Sequence, residues 1–252
     1  MDTPLPIEQP EPSSLTDRLT DVITAPADLY EEVKQSPVRA SNWLVPWLIA
    51  CVVTVIYMGI AFSQPPILRS TQEQRSKAFQ KQVASGKMTQ AEADQRAAMV
   101  DRIMTPTVMA FFGAAMAVVA SACALFLMAV ALWLALKMFA ESVPDYMKIV
   151  EVCGLALVID IPQKIIRILL VLWKQNLLAT VSPTLFLANP SVTNKRDIFL
   201  SMFDLVDLWW LAVLTIGVSK VASVSYRTAG MIVFGIWFGF RIIMLLLTPG
   251  QQ

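Results

Sequence analysis

Five stretches of this chain are predominantly apolar: 43–62, 105–136, 148–172, 204–219 and 229–247. Each is near or above the roughly 20 apolar residues that a helix needs to cross a bilayer. Inside hydrocarbon a backbone has no water to bond to, so such segments must close their own hydrogen bonds as helices. They dominate the composition: 15% of residues are charged, against the roughly 25% usual in soluble domains, and the mean hydropathy is +0.59. The expected fold is an all-α, polytopic transmembrane helix bundle with about five spans. The second stretch is unusually long, but no proline or polar break divides it after Gly113, so it reads as one long or tilted helix. The third is the least pure, with Asp160, Pro162, Lys164 and Arg167.

The polar segments are patterned as helices too. Residues 1–14 are acidic and proline-rich and read as a disordered tail. From Ser14, Leu15, Leu19, Val22 and Ile23 follow helical spacing, until Thr24-Ala25-Pro26 interrupts the pattern. A second short helix over 27–35 presents Leu29, Tyr30 and Val33 on one face, and Pro37 ends it. Trp43 and Trp47 at the entry of the first span, and Tyr57 near its exit, suit aromatic anchors at the two interfaces.

Between the first two spans, residues 63–104 form a polar helical hairpin. One helix runs over about 69–84 to Ser85-Gly86, and a second is capped by Thr89 with Glu92 three residues on. The hairpin carries seven bases: Arg69, Arg75, Lys77, Lys81, Lys87, Arg96 and Arg102. It is either a solvated hairpin or a surface for a partner or for lipid headgroups. The domain organisation is thus an N-terminal segment 1–42, a membrane unit 43–247 that includes this insert, and a short tail 248–252.

Several chemistries lack their residues. There is no histidine, which removes imidazole as base or metal ligand. Cys51, Cys123 and Cys153 lie in apolar segments without metal-ligand spacing and read as small buried thiols. No phosphate-cradling loop and no paired carboxylates at a credible site occur, so no catalytic residue, metal or cofactor is expected, and the chain reads as not an enzyme. A net charge of +1 without a basic domain gives no reason to expect nucleic-acid binding. The acidic start lacks the features of a signal peptide, so the first span is expected to be retained.

Ionisable residues inside spans are costly and need partners or an aqueous cavity. Asp160 and Lys164 are four apart on one helix face and can pair, with Pro162 between them and Arg167 a turn further on. The last two spans form a hairpin whose turn centres near Val224. Asp207 and Arg241 are equidistant from it along the chain, so they are expected to face each other. Asp160, Lys164, Arg167, Asp207 and Arg241 therefore gather toward one side of the membrane, with Asp204 nearby. The cluster is either an ion, proton or headgroup site, or structural pairing with snorkelling side chains. Gly235 and Gly239 form a GxxxG, and Gly113, Ala117 and Ser121 repeat at four-residue spacing. Both patterns suit close helix packing, within the chain or between copies as a homo-oligomer.

An acidic tail, a short proline-bounded aromatic segment and clustered spans together resemble the Yip family of integral membrane proteins, first known as Rab-GTPase interactors and with a large bacterial branch. The matching segment is Pro26-Ala-Asp-Leu-Tyr30-Glu-Glu-Val33-Lys-Gln-Ser-Pro37. The closing hairpin, from Asp204 through Asp207, Trp209 and Trp210 to Gly217, looks like the family's aspartate–tryptophan–glycine pattern. The stretch around Lys87-Met88-Thr89-Gln90 looks like an insert of bacterial members. The tyrosine- and glycine-rich trafficking motifs of eukaryotic members are not evident, which favours the bacterial branch and a bacterial cytoplasmic membrane.

The resemblance implies a cytosolic N-terminus. Lys and Arg counts lean the other way, seven on the N-terminal side against ten opposite. The long hairpin weakens that rule, so the N-terminus is expected in the cytosol. Functionally, the resemblance implies a non-catalytic, membrane-organising or trafficking-type adaptor. It would contact the bilayer, and a protein partner through its N-terminal helices or the 63–104 hairpin. The alternative is a transporter, channel or lipid-translocating component that uses the intramembrane charges.

Overall fold

The computed structural model describes residues 13–141, 143–188, 190–191 and 194–248. The expected tail over residues 1–12 and the last residues 249–252 lie outside these. Among the described residues the chain is helical throughout, with no strand, and it is an all-α membrane bundle.

Two short helices open it: α1 (Leu15–Thr24) and α2 (Pro26–Gln35). Ser14 caps α1, exchanging hydrogen bonds with Asp17 in a capping box, and Pro26 starts α2 at the position where a missing N–H costs nothing. Next come α3 (Ser41–Phe62), the hairpin α4 (Pro65–Ala84) and α5 (Gln90–Ile103), and the long α6 (Pro106–Phe139). Gly86, with φ +71°, makes the turn between α4 and α5, a conformation that glycine adopts freely. Thr89 and Glu92 form the expected capping box. The second apolar stretch is one unbroken helix.

Among the described residues, three helices are long and apolar enough to cross a membrane: α3, α6 and α11 (Tyr226–Leu247). A fourth arises if α9 (Lys195–Ser201) and α10 (Leu205–Val221), bent by 49°, are taken as one span. The remaining expected span, 148–172, is divided. It consists of α7 (Tyr146–Ala156), a 3-10 turn at Leu157–Ile159 and α8 (Asp160–Lys174). The division falls where Asp160 and Pro162 enter the sequence. Pro162 has no N–H to give to the carbonyl four residues back, so that carbonyl is freed from the α-helical ladder.

Helix α7 is the centre of the bundle. Every residue from Lys148 to Ala156 is buried, and α3, α6 and α10 pack around it. Gly154 allows the closest approach: a Cβ there would overlap Cα and Cβ of Trp43 on α3. Gly113 on α6 faces Phe62 and Met58 of α3, and Ser121 accepts a 3.1 Å hydrogen bond from the Trp47 indole. Packing within the chain therefore accounts for Gly113 and Ser121 of α6. It does not for Gly235 and Gly239, where an added Cβ would meet nothing. That stripe points out of the bundle.

Tyr57 is buried within the bundle, where the start of α4 folds back and sets Ile67 in a small cluster with Tyr57, Ala61 and Val171. One sequence expectation about exposure fails. Of the three thiols only Cys153 is buried; Cys51 is half-buried and Cys123 faces outward. Contact with lipid exposes a thiol without wetting it.

Candidate functional site: a polar lock and an intramembrane charge cluster

The N-terminal helices are fastened to the bundle. Helix α2 lies along α10, and Leu29, Tyr30 and Val33 are all buried as their spacing predicts. Tyr30 reaches furthest. Its ring packs where Gly217 lacks a side chain; a Cβ there would come within 2.6 Å of Val152 Cγ1 and 2.9 Å of the Tyr30 ring. The Tyr30 hydroxyl donates to the Val152 carbonyl at 3.3 Å. Burial pushes its phenol well above the usual range, so it stays neutral.

Beside Tyr30 lies a network that sequence reasoning missed. Arg18 on α1 is charged, yet it is 1% exposed. Its guanidinium meets Glu32 at 2.5 Å and donates to Asn42 Oδ1 at 3.2 Å. Asn42 passes the chain on, donating to Glu151 Oε1 at 2.9 Å, and the Arg39 backbone N–H donates to the same oxygen at 2.6 Å. Lys148 completes the set, 2.6 Å from Glu151 Oε2 and donating to the Val33 and Ser36 carbonyls at 3.0 and 2.9 Å.

Those two carbonyls belong to the end of α2, where a helix leaves its last acceptors unsatisfied. Lys148 is thus a C-cap supplied from another helix, and Glu151 is the charge that makes burying it tolerable. Burial raises the Glu32 carboxyl, but hydrogen bonds from Ser13 and Arg18 outweigh this and hold it below its ordinary value. Its contribution is therefore present at neutral pH and is lost as pH falls through that lowered value.

The five expected cluster residues lie at the other end of the bundle, in two ion pairs and one separate base. Asp160 and Lys164 pair one turn apart on α8. Arg241 donates to Asp207 Oδ2 at 2.9 Å across the α10–α11 hairpin, and Gln163 donates to Oδ1 at 2.6 Å. Arg167 joins neither pair. Its Nε is buried without a hydrogen-bond partner, and it lines a tight cleft with Gln163, Thr180 and Asp204. Asp204 caps α10, accepting from the Val206 N–H at 2.8 Å.

Exchanging the two charges tests the pair. Asp207→Arg or Arg241→Asp alone should lower stability by roughly 2–4 kcal/mol, because each strands a partly buried charge. The double exchange should recover most of that loss in a thermal melt in detergent. Non-additive recovery of this kind is the mark of direct contact.

Of the remaining motif residues, Pro26 begins α2, Pro37 follows its end and Gly217 receives Tyr30, while Trp209 is 37% exposed. Among the described residues no group of three or more Cys, Asp or Glu is placed to hold a metal ion.

No curated protein and no solved structure matches the chain significantly. The family model described as the Yip1 domain matches residues 20–248, which takes in α2, every membrane helix and Glu32, Asn42, Lys148 and Glu151 of the polar lock, with Arg18 just before it. On that match the chain belongs to the Yip1 domain family of membrane proteins.

Proposed function

We propose that this Yip1-family protein is a non-catalytic membrane adaptor that presents the α4–α5 hairpin to a protein partner. The observation that carries this reading is the hairpin itself. Its helices pair with each other, Arg75 lying 3.6 Å from Asp101, and α4 and α5 bury only Ile67 and Ala93. On α5, Met99 and Ile103 are 57% and 59% exposed and one turn apart. Large apolar side chains among exposed bases are the pattern of a contact surface, apolar at its centre and polar at its rim. The N-terminal helices offer less, since their apolar faces are spent on the bundle and on the lock.

We place the N-terminal helices in the cytosol, and a bacterial cytoplasmic membrane fits the sequence. The hairpin then faces the opposite side, because α3 crosses once between them. The alternative reading, transport through the charge cluster, rests on Arg167, the one cluster base outside the two ion pairs. Brief crosslinking in native membranes followed by affinity purification separates the two. Met99→Asp with Ile103→Asp should abolish capture of a specific partner while leaving expression and melting unchanged. Asp207→Asn should leave capture intact in whatever protein folds. Undiminished capture by the α5 double variant would overturn the hairpin reading.

A further inference from the structure

The end of the bundle that carries the lock also holds an open cleft of about 270 Å3, lined by Glu31, Lys34, Ser219, Lys220, Ser223, Ser225 and Tyr226. It lies between α2 and the turn that joins α10 to α11. We propose that this cleft binds the phosphate of an anionic membrane lipid.

Two lysines from different elements point toward it, and both are poorly satisfied. Lys34 and Lys220 approach the same Glu31 carboxylate at 3.8 and 3.7 Å, well beyond the 2.7–2.9 Å of a charge-assisted hydrogen bond. The contrast is with Lys148, also beside α2, which has a carboxylate at 2.6 Å and two carbonyls at hydrogen-bond distance. Where this fold uses a lysine to hold itself together, it saturates the ammonium. At the cleft it leaves two ammonium groups sharing one distant carboxylate, a net positive charge with donors to spare.

The cleft's position selects the source of the anion. Its floor is the turn between two helices of the membrane bundle, and Tyr226, 52% exposed, stands at the first residue of a membrane helix, where aromatic side chains meet headgroups. Ser223 lines the same wall, where the Ser219 hydroxyl is spent on the Val224 carbonyl and Ser225 on capping α11. Lysines at this depth attract anionic lipid, and the cleft gives that attraction a defined place. The site is independent of the hairpin, which lies at the other end of the bundle.

The test uses the full chain in nanodiscs of mixed phosphatidylglycerol and phosphatidylcholine, with native mass spectrometry of the lipids retained after release. Wild type should hold phosphatidylglycerol in preference to phosphatidylcholine. Lys34→Gln with Lys220→Gln should retain roughly tenfold less or lower, as expected for two lysines at a lipid surface. Lys137→Gln is the control; this lysine sits over the Trp133 ring, outside the cleft. Melting of each variant shows that the fold is kept. Displacement of the lipid by millimolar inorganic phosphate would keep the phosphate chemistry but assign the site to a soluble anion, overturning the lipid source. Equal retention by wild type and the double variant, or equal loss in the control, would overturn the site.

Discussion

Glu151→Ala should cost this protein roughly 3–5 kcal/mol, the penalty for removing one partner of a buried ion pair. Glu151 is fully buried, and four groups depend on its carboxylate directly or through one intermediary: Lys148, Asn42, the Arg39 backbone and, through Asn42, Arg18. Without it, Lys148 is left buried with two carbonyls and no counter-charge. The lysine then must either lose its proton or leave the end of α2. If it leaves, the α2 C-terminus loses its cap; in both cases Asn42 loses the acceptor that holds it in place for Arg18 on α1. Glu151→Gln should fall between the two, since an amide can still serve Asn42 or Arg39 but not neutralise Lys148. Thermal melting in detergent checks the order wild type, Gln, Ala.

Gly154→Ala should be at least as damaging, at about 3 kcal/mol or more. Overpacking of a core by one methyl costs about 1–3 kcal/mol when side chains can yield. Here the obstacle is the Trp43 backbone and its Cβ, so α3 itself must move away from α7. That shift would also pull Asn42 from Glu151. The same change at Gly59, on the outer face of α3 where an added Cβ meets nothing, should be neutral or slightly stabilising, because alanine is the better helix former. Yield of monodisperse protein and its melting temperature distinguish the two sites. Equal tolerance at both would mean that α3 and α7 are not in close contact.

The contrast between these residues shows what the sequence could and could not reveal. Features set by local chemistry were legible: the break before Pro26, the cap at Thr89, the turn near Val224. The Asp207–Arg241 contact was legible too, because a tight hairpin converts distance along the chain into depth. The lock was not. Arg18 lies beside the apolar face of α1, three residues after Leu15 and four before Val22, and its burial is made tolerable by Glu32 and Asn42, with Glu151 behind Asn42, partners that lie in other elements of the chain. A signal existed in Lys148 and Glu151, one turn apart in an apolar helix, since such charges need partners. The direction in which Gly235 and Gly239 face was likewise invisible, because a glycine stripe marks a possible approach without naming the helix that makes it.

Helices α1 and α2 are packed as part of the membrane unit, not as a tether that swings free to find partners. Amide hydrogen exchange on the full chain in nanodiscs tests this directly. The structure predicts that the α1 and α2 amides of wild type exchange slowly, close to those of α10, and that Glu151→Ala makes them fast while α10 stays protected. Fast exchange of α1 and α2 in the wild-type protein would contradict it: the lock would then be open in solution, and the N-terminal helices would again be free to serve as the adaptor's reach.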